Sequence, residues 1–143
     1  MKNIFKSFMT ACMLLSVAMT GVAQKDYSKS EGLLQYVDPY IGSGFHGHVF
    51  VGTSVPYGMV QVGPNNIYKG WDWCSGYHYS DSILIGFSQT HLNGTGCSDL
   101  GDIMVRPMNE IRTERGQQND ISNGYASMYS HKTEIARPEY YSV

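Results

Sequence analysis

Histidines, aspartates and aromatic side chains concentrate in three short segments, and these residue types could bind a polar ligand. The segments are residues 44–48, 71–79 and 88–99, and four of the five histidines lie inside them. Glycines accompany the polar residues, which lets the backbone bend sharply and approach a ligand closely. Binding residues are often carried on loops that a rigid scaffold positions, so the three segments are candidate binding loops.

The second segment combines four aromatic side chains with Asp72, Cys74 and His78. Aromatic faces can stack on the apolar faces of sugars, and a few well-placed polar groups can hydrogen-bond the hydroxyls. A hydrophobic core whose polar tips find partners would have a similar composition. Composition alone therefore leaves a carbohydrate site and a packed core open as alternatives.

His46 and His48 are two residues apart, so on an extended backbone both imidazoles would lie on the same face. Two such imidazoles could bind one zinc ion if a third ligand, such as His91 or Asp99, converged on them. Without a third ligand they are hydrogen-bonded loop histidines. A metal hydrolase centred on His46, His48 and His91 is accordingly one hypothesis for the function.

The composition excludes several classes of protein. Of the 143 residues, 42% are hydrophobic, 13% aromatic and only 15% charged, and 16 are glycines. Disordered chains are poor in aromatics and rich in charge, and coiled coils need many charges and few glycines. A net charge of -2 gives the chain no basic field to attract nucleic acid.

The N-terminal segment has the pattern of a secretory signal peptide. Lys2 and Lys6 precede a mostly apolar stretch of residues 8–22, and small residues stand just before Gln24. This stretch is shorter than the roughly 20 residues that span a bilayer. We therefore predict a signal peptide over residues 1–23 and export to the periplasm or cell surface. Export permits a disulfide between Cys74 and Cys97, although two separate thiols remain an alternative.

The elements that carry the three loops are predicted to be short strands, because no window of the chain shows helical periodicity. Strands are expected at residues 59–62, 83–88 and 102–108, with two more within residues 125–137. A chain break is expected at residues 63–66 and a solvated loop or short helix at residues 109–120. Many short strands separated by turns favour a mainly β fold of the sandwich type. Residues 139–143 resemble a strand that has just begun, so we expect this chain to be part of a longer protein.

Six motifs occur in order along the chain and together resemble a known family. They are VDPYIG (37–42), GHVF (47–50), VPYGMVQ (55–61), GWDWCSGYHYSD (70–81), IGFS (85–88) and THLNGTGC (90–97). In this order and spacing they resemble the N-terminal region of glycoside hydrolase family 92, the calcium-dependent exo-acting α-mannosidases. The resemblance extends from about Tyr36 to Pro107 and continues more weakly to the end of the chain. The sequence departs from the family pattern at four positions, which bear on linkage specificity more than on membership: Val51, Gln89, Ser98 and Leu100.

The resemblance implies a particular architecture. Residues 24–143 would be part of an N-terminal β-sandwich of the galactose-mutarotase-like supersandwich type. This sandwich would pack on a C-terminal (α/α)6 barrel that lies outside the sequence. The partners implied are α-mannoside glycans and this second domain, with no nucleic acid and no membrane span.

The resemblance also implies an activity. The longer protein would remove terminal α-linked mannose, with α-1,2 as the expected linkage, by calcium-assisted inverting hydrolysis. The catalytic acid, the catalytic base and most calcium ligands would lie in the C-terminal domain, so no carboxylate of this chain is assigned to catalysis. Residues expected to line the substrate pocket are Trp71, Asp72, Cys74, His78, His91, His46 and His48. The alternative is a non-catalytic carbohydrate-binding β-sandwich module.

Overall fold

The computed structural model of the chain describes residues 31–54, 58–94 and 96–143. The predicted signal peptide, residues 1–23, lies outside the described residues and stays a prediction. In chain order the elements are a 3-10 helix at Gly32–Tyr36, β1 at Gly63–Asn66, a 3-10 turn at Trp71–Trp73, β2 at Ile83–Ser88, β3 at Ser127–Met128, β4 at Ile135–Arg137 and β5 at Tyr140–Ser142. The described residues form no α-helix, and the predicted mainly β class is confirmed.

Strand β2 is the centre of a three-stranded antiparallel sheet with the order β1-β2-β3. Gly63 pairs with Ser88 at one end of β1, and the register shifts between Asn65 and Asn66 so that Asn66 faces Leu84. The apolar sequence of β2 predicted a buried strand, and four of its six residues are buried. This strand is the rigid element from which the loops on either side extend.

The chain departs from the sequence prediction around β1. Residues 63–66, expected to break the chain, form a strand, whereas residues 59–62 contribute only an isolated bridge from Val62 to Thr53. Pro64 has no backbone N–H, but β1 is an edge strand, where a missing donor is tolerated. Gly63 allows a close approach, because an added Cβ would overlap the carbonyl oxygen of Val51.

The later part of the chain follows the prediction more closely. Residues 125–137 contain the two expected short strands, β3 and β4, and β5 forms where the sequence suggested a final strand. The expected strand at residues 102–108 is reduced to a bridge between Val105 and Phe87. Residues 109–120 form a loop that contains no helix. All of these residues are exposed except Gly116, which is partly buried.

Strands β4 and β5 form a hairpin whose inner face joins the core. Ala136 pairs with Tyr141, and the Tyr141 ring meets the Phe87 ring of β2 at 5.9 Å between centroids. Val51, Tyr77 and Ala136 form one buried cluster, and Ile67, Ile83 and Ala126 form another. In the described part of the chain, no helix combines the length and apolar character that a bilayer crossing requires.

Candidate functional site

Four of the predicted site residues converge at one place. The Asp72 Oδ1 atom lies 2.5 Å from His46 Nδ1 and 3.6 Å from His48 Nε2. The Trp71 ring lies beside both imidazoles, with ring centroids 5.3 Å from that of His46 and 4.3 Å from that of His48. We call His46, His48, Trp71 and Asp72 the Trp71 cluster.

Local backbone geometry brings these side chains together. The 3-10 turn Trp71–Trp73 follows Gly70, whose φ of 127° lies in a region that L side chains rarely adopt. On the opposite side, Phe45 and His48 both have positive φ, at 55° and 53°, which is uncommon for residues other than glycine. The loop of residues 44–48 thereby folds back so that both histidines face Asp72.

A third loop completes the surroundings of Trp71. The Gly94 N–H donates to the His48 carbonyl at 2.7 Å, which joins this loop to the histidine loop. Gly96 lies so close to the Trp71 indole that an added Cβ would overlap its Nε1 atom. The sequence did not predict that Gly96 packs against Trp71. The signal in the sequence was a glycine within a loop of small polar residues.

The members of the Trp71 cluster differ in exposure. Trp71 is 54% exposed, and the side chains of His46 and Asp72 are 52% and 28% exposed. The His48 side chain is only 7% exposed, and its Nε2 atom has no hydrogen-bond partner among the described residues. An accessible indole therefore stands beside polar atoms that retain hydrogen-bonding capacity, an arrangement suited to a ligand with both apolar and hydroxyl-bearing faces.

The electrostatics keep Asp72 ionised. The hydrogen bond from His46 lowers the pKa of Asp72 below its ordinary value, and the charge on His46 acts in the same direction. At neutral pH the carboxylate is therefore an acceptor held between two imidazoles. The His46 Nδ1 atom must carry a proton to donate to it, which fixes the role of this nitrogen.

His78 connects the segment of residues 71–79 with the loop of residues 44–48. Its ring is 7% exposed, with Nε2 3.1 Å from the Phe45 carbonyl and Nδ1 2.8 Å from Ser80 Oγ. Because the carbonyl can only accept, Nε2 carries the proton and Nδ1 accepts from Ser80. Its predicted contact with substrate stays a prediction.

His91 and Cys74 line a different space, a cavity of about 350 Å³ beside β1. His91 is 3% exposed, and its Nδ1 lies 2.8 Å from the Gln61 carbonyl while Nε2 lies 2.9 Å from Ser88 Oγ. Burial lowers the pKa of His91. Its Nδ1 donates to the Gln61 carbonyl, which can only accept, and Nε2 also lies 2.6 Å from Asn65 Oδ1. Both residues were predicted to line the substrate pocket. Their position in this cavity does not test that prediction.

The described residues do not bring together a metal site. Among residues 31–54, 58–94 and 96–143, no group of three His, Cys, Asp or Glu side chains could hold a metal ion. His46 and His48 share Asp72 as a neighbour, but His91 packs instead against the Phe50 ring at 5.5 Å. The third ligand that the metal-hydrolase hypothesis requires is thus not met within the described residues.

Comparison with known proteins decides the family. Residues 36–143 match the model of the glycosyl hydrolase family 92 N-terminal domain. This chain belongs to glycosyl hydrolase family 92. The resemblance read from the six sequence motifs is therefore confirmed, and the strands described above belong to the β-sandwich of the family 92 N-terminal domain.

Solved family 92 structures share this fold. A family 92 alpha-mannosidase from Bacteroides thetaiotaomicron, in complex with mannoimidazole, matches with a TM-score of 0.72 and 42% identity over 78% of this chain. The family 92 glycosyl hydrolase ccman5 matches with a TM-score of 0.63 and 29% identity over 77% of this chain. This chain covers 15% and 14% of those two chains.

A curated relative points the same way. The chain is 38% identical over 118 residues to an uncharacterized secreted glycosidase from Arthroderma benhamiae, which covers 78% of this chain. The chain spans 14% of the length of that relative.

Proposed function

We propose that this chain is the N-terminal part of an exported glycosidase that removes terminal α-linked mannose from glycans. The Trp71 cluster is proposed to form part of the pocket for the terminal sugar. The observation that carries this proposal is the convergence of Trp71, Asp72, His46 and His48 in a chain of family 92. A relative of 42% identity is an alpha-mannosidase solved with mannoimidazole, which supports a mannoside as the ligand.

The chemistry of the cluster fits a hexose. The exposed indole of Trp71 offers an apolar face on which the C–H face of a sugar ring can stack. The ionised Asp72 can accept hydrogen bonds from hydroxyl groups, and the buried His48 Nε2 is a polar atom without a partner among the described residues. A sugar hydroxyl reaching His48 would satisfy a group whose burial otherwise costs free energy.

The catalytic groups are proposed to lie beyond residue 143. In this proposal two carboxyl groups there act as acid and base in an inverting hydrolysis, with a water between them. Calcium takes six to eight oxygen ligands, and we propose that most of them also lie beyond residue 143.

The substrate and the location are proposed more narrowly as well. An α-1,2-linked terminal mannose is the proposed substrate, and the periplasm or cell surface is the proposed location. The relative from Arthroderma benhamiae is described as secreted, which supports export.

Mannose release by the complete gene product is the direct test. The complete protein is incubated with α-1,2-linked mannobiose and, in parallel, with the corresponding glucobiose as a control. Proton NMR of the first product is expected to show β-mannose, the inverted anomer, from mannobiose only. Initial release of α-mannose would contradict inversion. The absence of mannose release from this disaccharide would contradict the α-1,2 linkage, and its absence from the α-1,3-, α-1,4- and α-1,6-linked mannobioses as well would contradict the proposed activity.

The 143-residue chain provides a second test of where the catalytic groups lie. We expect this chain alone to release no mannose. Measurable release would contradict the placement of the catalytic carboxyls beyond residue 143. Binding of mannosides by the complete protein without hydrolysis would instead favour the carbohydrate-binding module.

A further inference from the structure

A buried carboxylate outside the Trp71 cluster is bonded to four donors. Asp81 is 1% exposed. Its Oδ1 atom accepts from the backbone N–H groups of Ser82 and Ile83, at 2.7 and 3.0 Å. Because Ile83 is the first residue of β2, these bonds fix the Asp81 side chain relative to the central strand of the sheet.

The second oxygen of this carboxylate reaches the 3-10 turn of the candidate site. Asp81 Oδ2 accepts from the indole Nε1–H of Trp73 at 2.8 Å, and Lys69 Nζ lies 2.8 Å from the same oxygen. Lys69 Nζ also lies 5.5 Å from the centre of the Trp73 ring. The Asp81 carboxylate therefore links the Trp73 side chain to the start of β2.

Trp73 connects this anchor to both sides of the candidate site. It ends the turn that carries Trp71 and Asp72, and its ring stacks on His78 with centroids 4.3 Å apart. His78 Nε2 in turn donates to the Phe45 carbonyl in the loop that carries His46 and His48. The chain of contacts runs from β2 through Asp81, Trp73 and His78 to the histidine loop.

We propose that Asp81 is a positioning residue that sets the placement of Trp71 and Asp72 through the Trp73 indole. This inference rests on the proposed function, because it concerns the same mannoside pocket. A buried ion pair is weak evidence for stability, since its desolvation cost can exceed its Coulombic gain, and well-packed apolar residues can often replace it. The contacts of Asp81 with the site-bearing turn give this pair a role that an apolar pair would not fill.

The substitution Asp81→Asn separates the two oxygens of the carboxylate. The amide oxygen can still accept from Ser82 and Ile83, but the amide NH2 group then faces the Trp73 indole N–H, donor against donor. Asp81→Asn in the complete protein is expected to raise KM for an aryl α-mannoside about tenfold, with kcat within about threefold of wild type. Asp120→Asn, at an exposed aspartate whose carboxylate accepts from Ser122, is the matched control and should leave both constants unchanged.

The substitution Trp73→Phe tests whether Asp81 acts through the indole. It removes the N–H and keeps an aromatic ring. If the indole bond carries the effect, the loss in kcat/KM for Asp81→Asn combined with Trp73→Phe should not exceed the larger single loss, whereas independent effects would multiply. Multiplying losses, or an unchanged KM in a folded Asp81→Asn variant, would overturn the proposal.

The charge on Lys69 is controlled separately. Asp81→Asn leaves the largely buried Lys69 without its anionic partner, which lowers stability for a reason unrelated to positioning. Adding Lys69→Met should restore much of the melting temperature while KM stays raised. Recovery of KM along with stability would show that Asp81 is merely structural and overturn the proposal.

A measurement that needs no activity keeps this inference apart from the proposed function. In a spectrum of 15N-labelled tryptophan, the Trp73 indole N–H is assigned by its loss in Trp73→Phe. It is expected to exchange slowly with water in the wild-type protein and at least about tenfold faster in Asp81→Asn, because a hydrogen-bonded N–H is protected from exchange. Unchanged exchange would overturn the role of Asp81, whereas faster exchange in a protein without mannosidase activity would contradict only the proposed function.

Discussion

Two carboxylate–imidazole pairs in this chain have nearly the same contact distance and different surroundings. His46 Nδ1 lies 2.5 Å from Asp72 Oδ1, and His131 Nδ1 lies 2.6 Å from Glu134 Oε2. Both members of the first pair are accessible to solvent, whereas the Glu134 side chain is 0% exposed. The comparison shows that a pair of this kind takes its role from the groups around it.

The buried Glu134 carboxylate is hydrogen-bonded on both oxygens by core tyrosines. Glu134 Oε2 also accepts from the Tyr77 hydroxyl at 3.2 Å, and Oε1 accepts from the Tyr141 hydroxyl at 2.5 Å. Burial, aided by the nearby Glu134 carboxylate, raises the pKa of both Tyr77 and Tyr141, and burial raises that of Tyr129 to about 12. Tyr77 and Tyr141 stay protonated and donate to Glu134, so this carboxylate holds the β4–β5 hairpin against the core.

The accessible pair stands beside groups that can still accept a ligand. Asp72 is partly exposed, the neighbouring Nε2 atom of His48 has no hydrogen-bond partner in the described part of the chain, and Trp71 presents its ring to solvent. A ligand can use these groups without disturbing the core. Mutations in the Trp71 cluster should therefore affect substrate turnover. Mutations of Glu134 and the residues bonded to it should affect stability.

The largest expected effect is on turnover. Trp71→Ala in the complete protein should lower kcat/KM on α-mannosides by about 10²-fold or more, about 3 kcal/mol of transition-state binding. Steady-state kinetics measures this, with circular dichroism as a check on folding. Tyr36→Ala, which removes another exposed aromatic ring, is the control and should leave kcat/KM unchanged. An unaltered kcat/KM in folded Trp71→Ala would contradict a role of the exposed Trp71 cluster in substrate binding.

The next largest effect is on stability. Glu134→Gln should lower the free energy of unfolding by about 2 kcal/mol, because one buried acceptor is replaced by an NH2 group that faces donors. Urea denaturation measures the change, and Glu110→Gln at an exposed position should stay within about 0.5 kcal/mol of wild type. A Glu134→Gln protein as stable as wild type would show that this buried network does not support the fold.

A smaller effect is the pH dependence from His91. Burial lowers its pKa in the folded protein, so the unfolded chain binds the proton more readily below about pH 6.5. The unfolding free energy should therefore fall as pH drops from 7.5 to 5. His91→Gln should reduce this dependence. Equal slopes in wild type and His91→Gln would contradict a lowered pKa of His91.

The smallest effect is confined to one titration. Asp72 should titrate below its ordinary pKa of 3.8, and His46→Ala should move its pKa upward. The pair contributes while Asp72 is ionised and is lost as pH falls through the lowered pKa. Carbon NMR of the aspartate carboxyls measures the shift, and the lowered pKa of Asp120, which depends on Ser122, should not change in His46→Ala. Because the pair is exposed, the melting temperature should hardly change.

The sequence predicted those parts of the fold that depend on local pattern. The apolar run of residues 83–88 could only be satisfied by burial, and it forms β2 with the predicted bounds. The segment GPNN read as a chain break because proline and asparagine favour turns. Its strand exists because β2 offers a partner, and pairing with a segment about 20 residues away cannot be read from four residues.

The candidate site was predictable in composition but not in arrangement. The family resemblance placed Trp71, Asp72, His46 and His48 in one predicted pocket, and the structure brings them together. The same reasoning gave His78 and His91 equal standing, yet both rings are buried and hydrogen-bonded to backbone carbonyls. Which histidine is buried depends on contacts between distant segments, and this information is absent from the spacing of the residues.

Trp71 packs closely on Gly96, and Gly94 is hydrogen-bonded to His48. These contacts between loops have a consequence for protein engineering. Loops that touch one another are constrained as a set, so a loop transplanted alone from a relative would meet neighbours shaped for a different one. Attempts to alter specificity should exchange residues 44–48, 70–74 and 94–97 together. In a combinatorial library, beneficial substitutions in these segments should depend strongly on one another.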